Sequence, residues 1–160
     1  MLKRPFILTL AAMALLGGCA SVRGPVTVAD TLAARPQLST LNSLVNKAGL
    51  GDTLKGAGPF TVFAPTNEAF AKVPAKTMDA LASDPARLRE VLTYHVVPGK
   101  VMLADVKNGN SKTVNGANVA LSRAGDFVTI EEAVVQMPDI AATNGVVDVV
   151  DSVLLPPARR

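Results

Sequence analysis

His95 is the only histidine in this chain of 160 residues, so any histidine-dependent chemistry would have to use it. A catalytic triad would also need a serine and a carboxylate near this ring, and the chain has no G-x-S-x-G nucleophile elbow. A catalytic zinc ion commonly has three protein ligands, with histidine usual among them. One histidine and one cysteine do not make up such a set. We therefore interpret His95 as a core or hydrogen-bonded residue beside Tyr94.

The acidic residues also form no evident acid–base pair. Asp148 and Asp151 are three apart in a strand-like run, so their side chains tend toward opposite faces, and we expect a solvated strand face or turn. Glu131 and Glu132 are adjacent and are expected at the surface. No P-loop, C-x-x-C or EF-hand pattern occurs, and Gly56-Ala57-Gly58 lacks the third glycine of a dinucleotide fingerprint. The sequence predicts no catalytic residue, no cofactor and no metal.

The N-terminus reads as an export signal and not as part of the fold. Met1–Arg4 is basic, and the apolar run Phe6–Leu16 has eleven residues, whereas a membrane-spanning helix needs about 20. We predict a signal peptide over residues 1–18. Leu16-Gly17-Gly18-Cys19 resembles a bacterial lipobox, in which Cys19 is lipidated and becomes the first mature residue. A buried or removed cysteine in a plain secretory peptide is the alternative.

Lipidation of Cys19 would leave residues 19–26 as a tether and attach the protein to a membrane, because several acyl chains on one cysteine hold it stably. Ala20 and Ser21 lack the aspartate of an inner-membrane retention signal, which favours the outer membrane of a bacterial cell envelope. Without Lys3 and Arg4, fourteen basic residues face thirteen acidic ones. This near balance, with no basic stripe, predicts no nucleic-acid binding.

A strand, a sharp stop and a helix start occupy the thirteen residues Gly58–Phe70. Phe60–Phe63 is a β-branched and aromatic run that suits a half-buried strand. Pro65 cannot donate to a sheet ladder, so the strand is expected to end there. Thr66 is a good N-cap, and Glu68 places negative charge in the positive first turn of the helix that follows.

The rest of the chain predicts helices first and strands afterwards. Apolar residues recur at helical spacing between Val28 and Ala48, with a break at Pro36, and Asp84-Pro85 is a strong helix start. From Val96 onward the apolar period changes to two, which is typical of strands. This order favours an α+β fold with mostly antiparallel pairing.

Two turns and a final strand are predicted in the second half. Asn115-Gly116 is a strong hairpin signal, because the pair supplies the two positive φ angles of a type I′ turn. Ala124-Gly125-Asp126 turns the chain again. The last strand is predicted over Val146–Leu155, where two prolines follow.

Pro138-Asp139-Ile140 precedes this last strand, in a stretch that we expect to be a loop. An exposed aspartate next to an isoleucine could serve as a recognition tip, because loops commonly carry function. The alternative is that Asp139 caps a turn while Ile140 anchors the loop to the core. Both interpretations stay open at this stage.

Three segments of the chain are similar, in order and spacing, to those of the fasciclin-like domain family: Thr61–Phe70, Leu92–Gly99 and Ala142–Leu154. The resemblance runs from about Val28 to Pro156, and we place a fasciclin-like domain over residues 27–158. It implies a wedge of two small, mostly antiparallel sheets with several short helices. The residues that carry the family's structural motif would be Thr61, Phe63, Pro65, Thr66, Phe70, Tyr94, His95, Asn144 and Gly145.

The resemblance also implies a class of function. Family members are secreted or surface-anchored and are implicated in adhesion, and an Asp-Ile pair at the place of Asp139-Ile140 is implicated in integrin binding by animal members. Asp148 departs from the pattern, since the family commonly has histidine there. We expect a non-enzymatic envelope module that contacts a surface protein or polysaccharide. The alternative is a carrier of a small hydrophobic ligand such as a lipid or pigment.

Overall fold

The computed structural model describes residues 26–157. The predicted signal peptide and the predicted lipidation at Cys19 lie outside the described residues. The α-helices of the described part are α1 Val28–Ala33, α2 Ser39–Lys47, α3 Gly51–Lys55, α4 Asn67–Ala71, α5 Ala75–Ser83 and α6 Pro85–Tyr94. Its strands are β1 Phe60–Pro65, β2 Val96–Pro98, β3 Gly109–Lys112, β4 Asn118–Ala124, β5 Phe127–Ile130, β6 Ala133–Ala142 and β7 Gly145–Val150.

The strands form one sheet in the order β2-β1-β7-β6-β5-β4-β3. Neighbours are antiparallel except β1 and β7, which run parallel with Thr61 opposite Val146. The long strand β6 pairs with β5 at its start and with β7 over the rest, so two small groups of strands share it. The Val114 amide donates to the Val96 carbonyl at 2.8 Å, which brings the two ends of the sheet together. The predicted α+β class is confirmed.

Two apolar clusters pack on the two faces of the central strands: a helix-side core, which contains the buried residues of the helices such as Leu32 and Leu88, and a strand-side core, which contains those of β4 and β5 such as Val119 and Ile130. Successive strand residues point to opposite faces, and accordingly Val149 packs with the helices while Val150 packs against β4 and β5. Every residue of β7 is buried. The continuous apolar run of this strand therefore reflects cover on both faces, as in other central parallel strands.

The helix starts follow the predicted caps. The Thr66 hydroxyl accepts from the Ala69 amide at 3.2 Å, and the Asp84 carboxylate accepts from the amides of Ala86 and Arg87 at 3.0 and 3.2 Å. Gly49, which follows α2, has φ +70° and ends that helix. Within residues 26–157, no helix is both long enough and apolar enough to span a membrane.

The hairpin between β3 and β4 is confirmed, but the predicted type I′ turn is wrong. Gly116 has φ +97°, whereas Asn115 is not among the residues with positive φ. The Gly116 amide donates to the Thr113 carbonyl, and the Thr113 amide donates to the Ala117 carbonyl, both at 2.9 Å. This longer connection needs a single left-handed residue, which the glycine supplies.

The last strand ends at Val150 and not at Leu155. Beyond it, the Asp151 carboxylate accepts from the Val134 amide at 2.9 Å. The Leu154 amide donates to Nε2 of His95 at 2.9 Å. The Asp151 amide still donates to the Val134 carbonyl at 3.1 Å, so the backbone pairing ends at Asp151. The apolar pattern continues beyond it because Leu154 is still in the core.

Candidate functional site

Asp139 and Ile140 lie inside β6 and not in a loop, so the loop prediction is wrong. The pairing of β6 with β7 shifts register between Met137 and Ile140, which marks a β-bulge. Asp139 has φ +57°, a conformation that aspartate tolerates better than most residues. Pairing resumes at Ile140 and continues to Ala142, because only a short turn separates the two strands.

Asp139 is tied to two other parts of the chain. Its Oδ1 accepts from the Leu103 amide at 2.8 Å, and its own amide donates to Oδ1 of Asp148 at 2.8 Å. Ile140 packs against the helix-side core, and both residues of the pair are half-buried. Asp139 therefore caps backbone groups and Ile140 is anchored to the core, while recognition of a partner through this pair stays a prediction.

Asp148 is buried in the middle of β7, so the prediction of a solvated position is wrong. Burial raises the pKa of its carboxyl from 3.8 to about 6; the Asp139 amide opposes this rise, and the Asp139 carboxylate adds to it. The three-residue spacing between Asp148 and Asp151 indicated that their side chains lie on opposite faces of a strand. It did not show that apolar clusters cover both faces of β7. Asp148 is thus a buried hydrogen-bond acceptor for the bulge.

The segment Gly99–Val106, here the 99–106 loop, is fastened to the sheet by side chains. The buried Thr61 hydroxyl donates to the Gly99 carbonyl and accepts from the Val101 amide, both at 2.8 Å. Asp139 binds the loop at Leu103, and Arg123 Nη1 donates to the Ala104 carbonyl at 2.8 Å. Val101 and Leu103 pack against the strand-side core. The loop is a fixed surface that extends the β6 bulge.

His95 is 1% exposed, in the core position that the sequence predicts. The Leu154 amide can only donate, so Nε2 must accept and Nδ1 must carry the proton that binds the Val91 carbonyl at 2.8 Å. Burial lowers the pKa of the ring to about 4, against a smaller opposing effect of the Val91 carbonyl. Both ring nitrogens of this neutral imidazole are occupied, which leaves neither for a substrate.

Tyr94 is buried beside His95, and its hydroxyl donates to the Asn118 carbonyl at 3.2 Å. Burial raises the pKa of this phenol, and Glu131 adds to the effect. The Tyr-His pair therefore links the end of α6 to β4 on one side and to the segment after β7 on the other.

Asn144 joins three distant segments. Its Oδ1 accepts from the Val28 amide at 2.8 Å, and its Nδ2 donates to the carbonyls of Leu54 and Gly56 at 2.7 and 2.9 Å. A Cβ on the neighbouring Gly145 would collide with the Phe60 carbonyl, so this position requires glycine. The two residues hold the helices against the start of the central strands.

The other motif residues occupy structural positions. Phe63 and Phe70 are buried in the two cores, and Pro65 ends β1. The sequence reasoning missed Asn67, whose Oδ1 accepts from the Thr40 amide and whose Nδ2 donates to the Pro36 carbonyl, both at 3.0 Å. Its position one residue after the N-cap Thr66 was the only sequence signal for a role in hydrogen bonding. The partners Thr40 and Pro36 are brought to it by the tertiary fold.

Within the described residues, no group of three or more histidine, cysteine, aspartate or glutamate side chains is placed to hold a metal ion. One apolar crevice reaches toward His95 between α2, α3 and β1, with a volume of about 40 Å³. Sites for drug-sized ligands have roughly 300–1,000 Å³. This crevice is too small for a lipid tail or a pigment.

The family model for the fasciclin domain matches residues 36–156. This chain belongs to the fasciclin family. It is 40% identical over 150 residues to the immunogenic protein MPB70 of Mycobacterium bovis, covering 88% of this chain and 76% of that protein. It is 38% identical over 137 residues to the cell surface glycolipoprotein MPB83 of the same species, covering 82% of this chain and 61% of MPB83.

The fold of this fasciclin domain also matches a solved structure, a FAS1 domain pair from the insect cell adhesion molecule fasciclin I. The TM-score is 0.66 at 18% sequence identity, covering 82% of this chain and 51% of the other. At that identity the match concerns the fold alone. Together with the family model, it confirms the fasciclin-type arrangement that the three sequence segments implied.

Proposed function

We propose that this fasciclin domain is a non-enzymatic interaction module of the bacterial cell envelope, which contacts a surface protein or a polysaccharide. The observation that carries the proposal is the similarity, over most of the chain, to the cell surface glycolipoprotein MPB83. The state of His95 supports the non-enzymatic part, because the one histidine is neutral, buried and bonded at both nitrogens.

The proposal includes attachment to the outer membrane through a lipid on Cys19. Its basis is the lipobox-like segment before that residue and the absence of an aspartate after it. The test is metabolic labelling with palmitate, followed by separation of the two membranes. We expect label and outer-membrane recovery for the parent, and loss of both for Cys19→Ala. Label on the Cys19→Ala protein would contradict the attachment site.

The contact surface in this proposal is the β6 bulge at Asp139-Ile140 together with the 99–106 loop. Thr61 and Arg123 donate hydrogen bonds to this loop, and Asp139 accepts one from it. These bonds hold the surface in one conformation, so a partner would not have to order it. A partner would contact the half-buried Asp139 where the 99–106 loop meets β6.

The experiment is attachment of cells to surfaces and to neighbouring cells by a deletion strain that carries the parent gene or a variant. Asp139→Asn is chosen because an amide oxygen still accepts from the Leu103 amide while the charge is lost. Asp126→Asn, in the exposed turn before β5, is the matched control. We expect reduced attachment for Asp139→Asn only. If the deletion strain attaches like the parent, the adhesion proposal fails.

A further inference from the structure

A groove of about 650 Å³ lies between α5 and α6 on one side and the β3–β4 turn and the segment after β7 on the other. This volume falls within the roughly 300–1,000 Å³ of known small-molecule sites. No residue of β6 or of the 99–106 loop lines this groove, so it does not overlap the surface around the Asp139 bulge. It is therefore a separate candidate site.

The groove has an apolar floor and an apolar wall. Leu81 of α5 and Val91 of α6 are buried at the floor, and Leu155, Pro156 and Pro157 form the wall. Leu155 is 49% exposed, one of the few large apolar side chains in the described residues that remain so open. An exposed apolar surface that continues into a buried floor is typical of a ligand site.

Charged side chains lie at the rim of the groove. Lys76 of α5 and Arg87 of α6 line it, together with one acidic residue, Glu90. Neither cationic side chain has a hydrogen bond or ion pair to another described residue. The Asn115 side chain already forms a hydrogen bond within the protein, because its Nδ2 donates to the Glu90 carbonyl at 3.0 Å. Two cationic side chains are therefore available at the rim to bind a negatively charged group.

We propose that this groove binds a fatty carboxylate, an amphiphile with one negative charge and one acyl chain. Its carboxylate would lie between Lys76 and Arg87, and its chain would cover Leu81, Val91 and Leu155. The two rim cations account for the carboxylate, and the apolar floor and wall account for the acyl chain. This site does not depend on the adhesion proposal, because it uses a different surface.

The experiment is calorimetric titration of residues 20–160, which contain every described element, with dodecanoate below its micelle concentration. We expect one saturable site per chain. Octanoate should bind about 200-fold more weakly if the whole chain is buried, because four methylenes are lost at about 0.8 kcal/mol each. Raising the salt concentration should weaken dodecanoate binding several-fold, since both cations are solvent-exposed and therefore screened.

Two pairs of variants test the two parts of the site. Arg87→Gln combined with Lys76→Gln should weaken dodecanoate binding about tenfold, whereas Lys112→Gln, an exposed lysine of β3, should not change it. Leu155→Ser should weaken binding about tenfold, whereas Phe127→Ser, at a side chain that is 71% exposed on β5, should not. Urea unfolding of each variant shows that the fold is retained.

Three results would overturn the proposal. The first is the absence of saturable dodecanoate binding. The second is equal binding of dodecyl maltoside, an uncharged amphiphile with the same chain, because the cations would then contribute nothing. The third is equal loss of affinity in the groove variants and in their matched controls, which would place the binding elsewhere on the protein.

Discussion

Replacing Asp148 with asparagine should stabilise this protein at neutral pH but not in acid. The carboxyl is buried, and its Oδ1 accepts from the Asp139 amide. Asparagine has nearly the shape of the protonated acid, and its oxygen can accept the same hydrogen bond. The substitution therefore removes the ionisation while it keeps the contact.

The magnitude follows from the two pKa values of this group. The carboxyl has a pKa of about 6 in the folded protein and a reference value of 3.8. Between these values the folded state holds a proton that the unfolded state has released, so the free energy of unfolding falls as pH rises. Each pKa unit corresponds to about 1.4 kcal/mol. Above pH 6, the free energy of unfolding of the wild type is therefore lower by about 3 kcal/mol than at acid pH, and Asp148→Asn does not have this loss.

His95 has the opposite dependence on pH. Its pKa is lowered from 6.5 to about 4 in the fold, so its contribution is present above pH 6.5 and is lost as pH falls toward 4. The loss is also about 3 kcal/mol, at about 1.4 kcal/mol per pKa unit. The two ranges overlap, so the two slopes largely cancel in the wild type. Asp148→Asn should reveal the acid sensitivity that His95 causes.

The assay is urea unfolding followed by circular dichroism at several pH values between 3.5 and 7.5. We expect the stability of Asp148→Asn relative to wild type to be about 3 kcal/mol greater at pH 7.5 than at pH 3.5. Asp126→Asn, at an exposed turn, is the control and should show no such trend. If the difference between Asp148→Asn and wild type is the same at both ends of the range, the burial argument is refuted.

Three further substitutions test the framework by urea or thermal unfolding. Asn144→Ala removes three hydrogen bonds to backbone groups and should cost about 3 kcal/mol, at about 1 kcal/mol per bond, whereas the exposed Asn110→Ala should cost little. Thr66→Ala removes the N-cap of α4 and should cost about 1 kcal/mol; an unchanged midpoint would contradict the cap. Gly145→Ala should abolish soluble expression because of the collision with the Phe60 carbonyl, and a stable variant would contradict that close approach.

The local elements are predictable because their signals act within a few residues. Thr66 and Asp84 cap the helices that directly follow them, and Pro65 stops β1 for the same local reason. The type I′ prediction failed at Asn115 because dipeptide preference does not determine how long the connection is. The end of β7 was missed because Leu154 keeps the apolar pattern while it binds His95 instead of a strand.

The Asp139–Asp148 pair shows what local signals leave out. The bulge arises from a register shift between β6 and β7, which depends on how the two strands pair over their length. The burial of Asp148 arises because β1 and β6 flank β7 and two cores cover its faces. Neither condition is contained in the spacing of aspartates along one strand.

The sequence by itself determined the family, the α+β order of elements and the helix caps. Only the tertiary structure decided that His95 is neutral, that Asp148 is buried, and that a charged-rim groove opens beside α5 and α6. The reason is the distance along the chain between bonded partners. Thr61 binds a carbonyl 38 residues away, His95 an amide 59 away, and Asn144 an amide 116 away. Such contacts exist only after the chain has folded, so they must be observed in the structure.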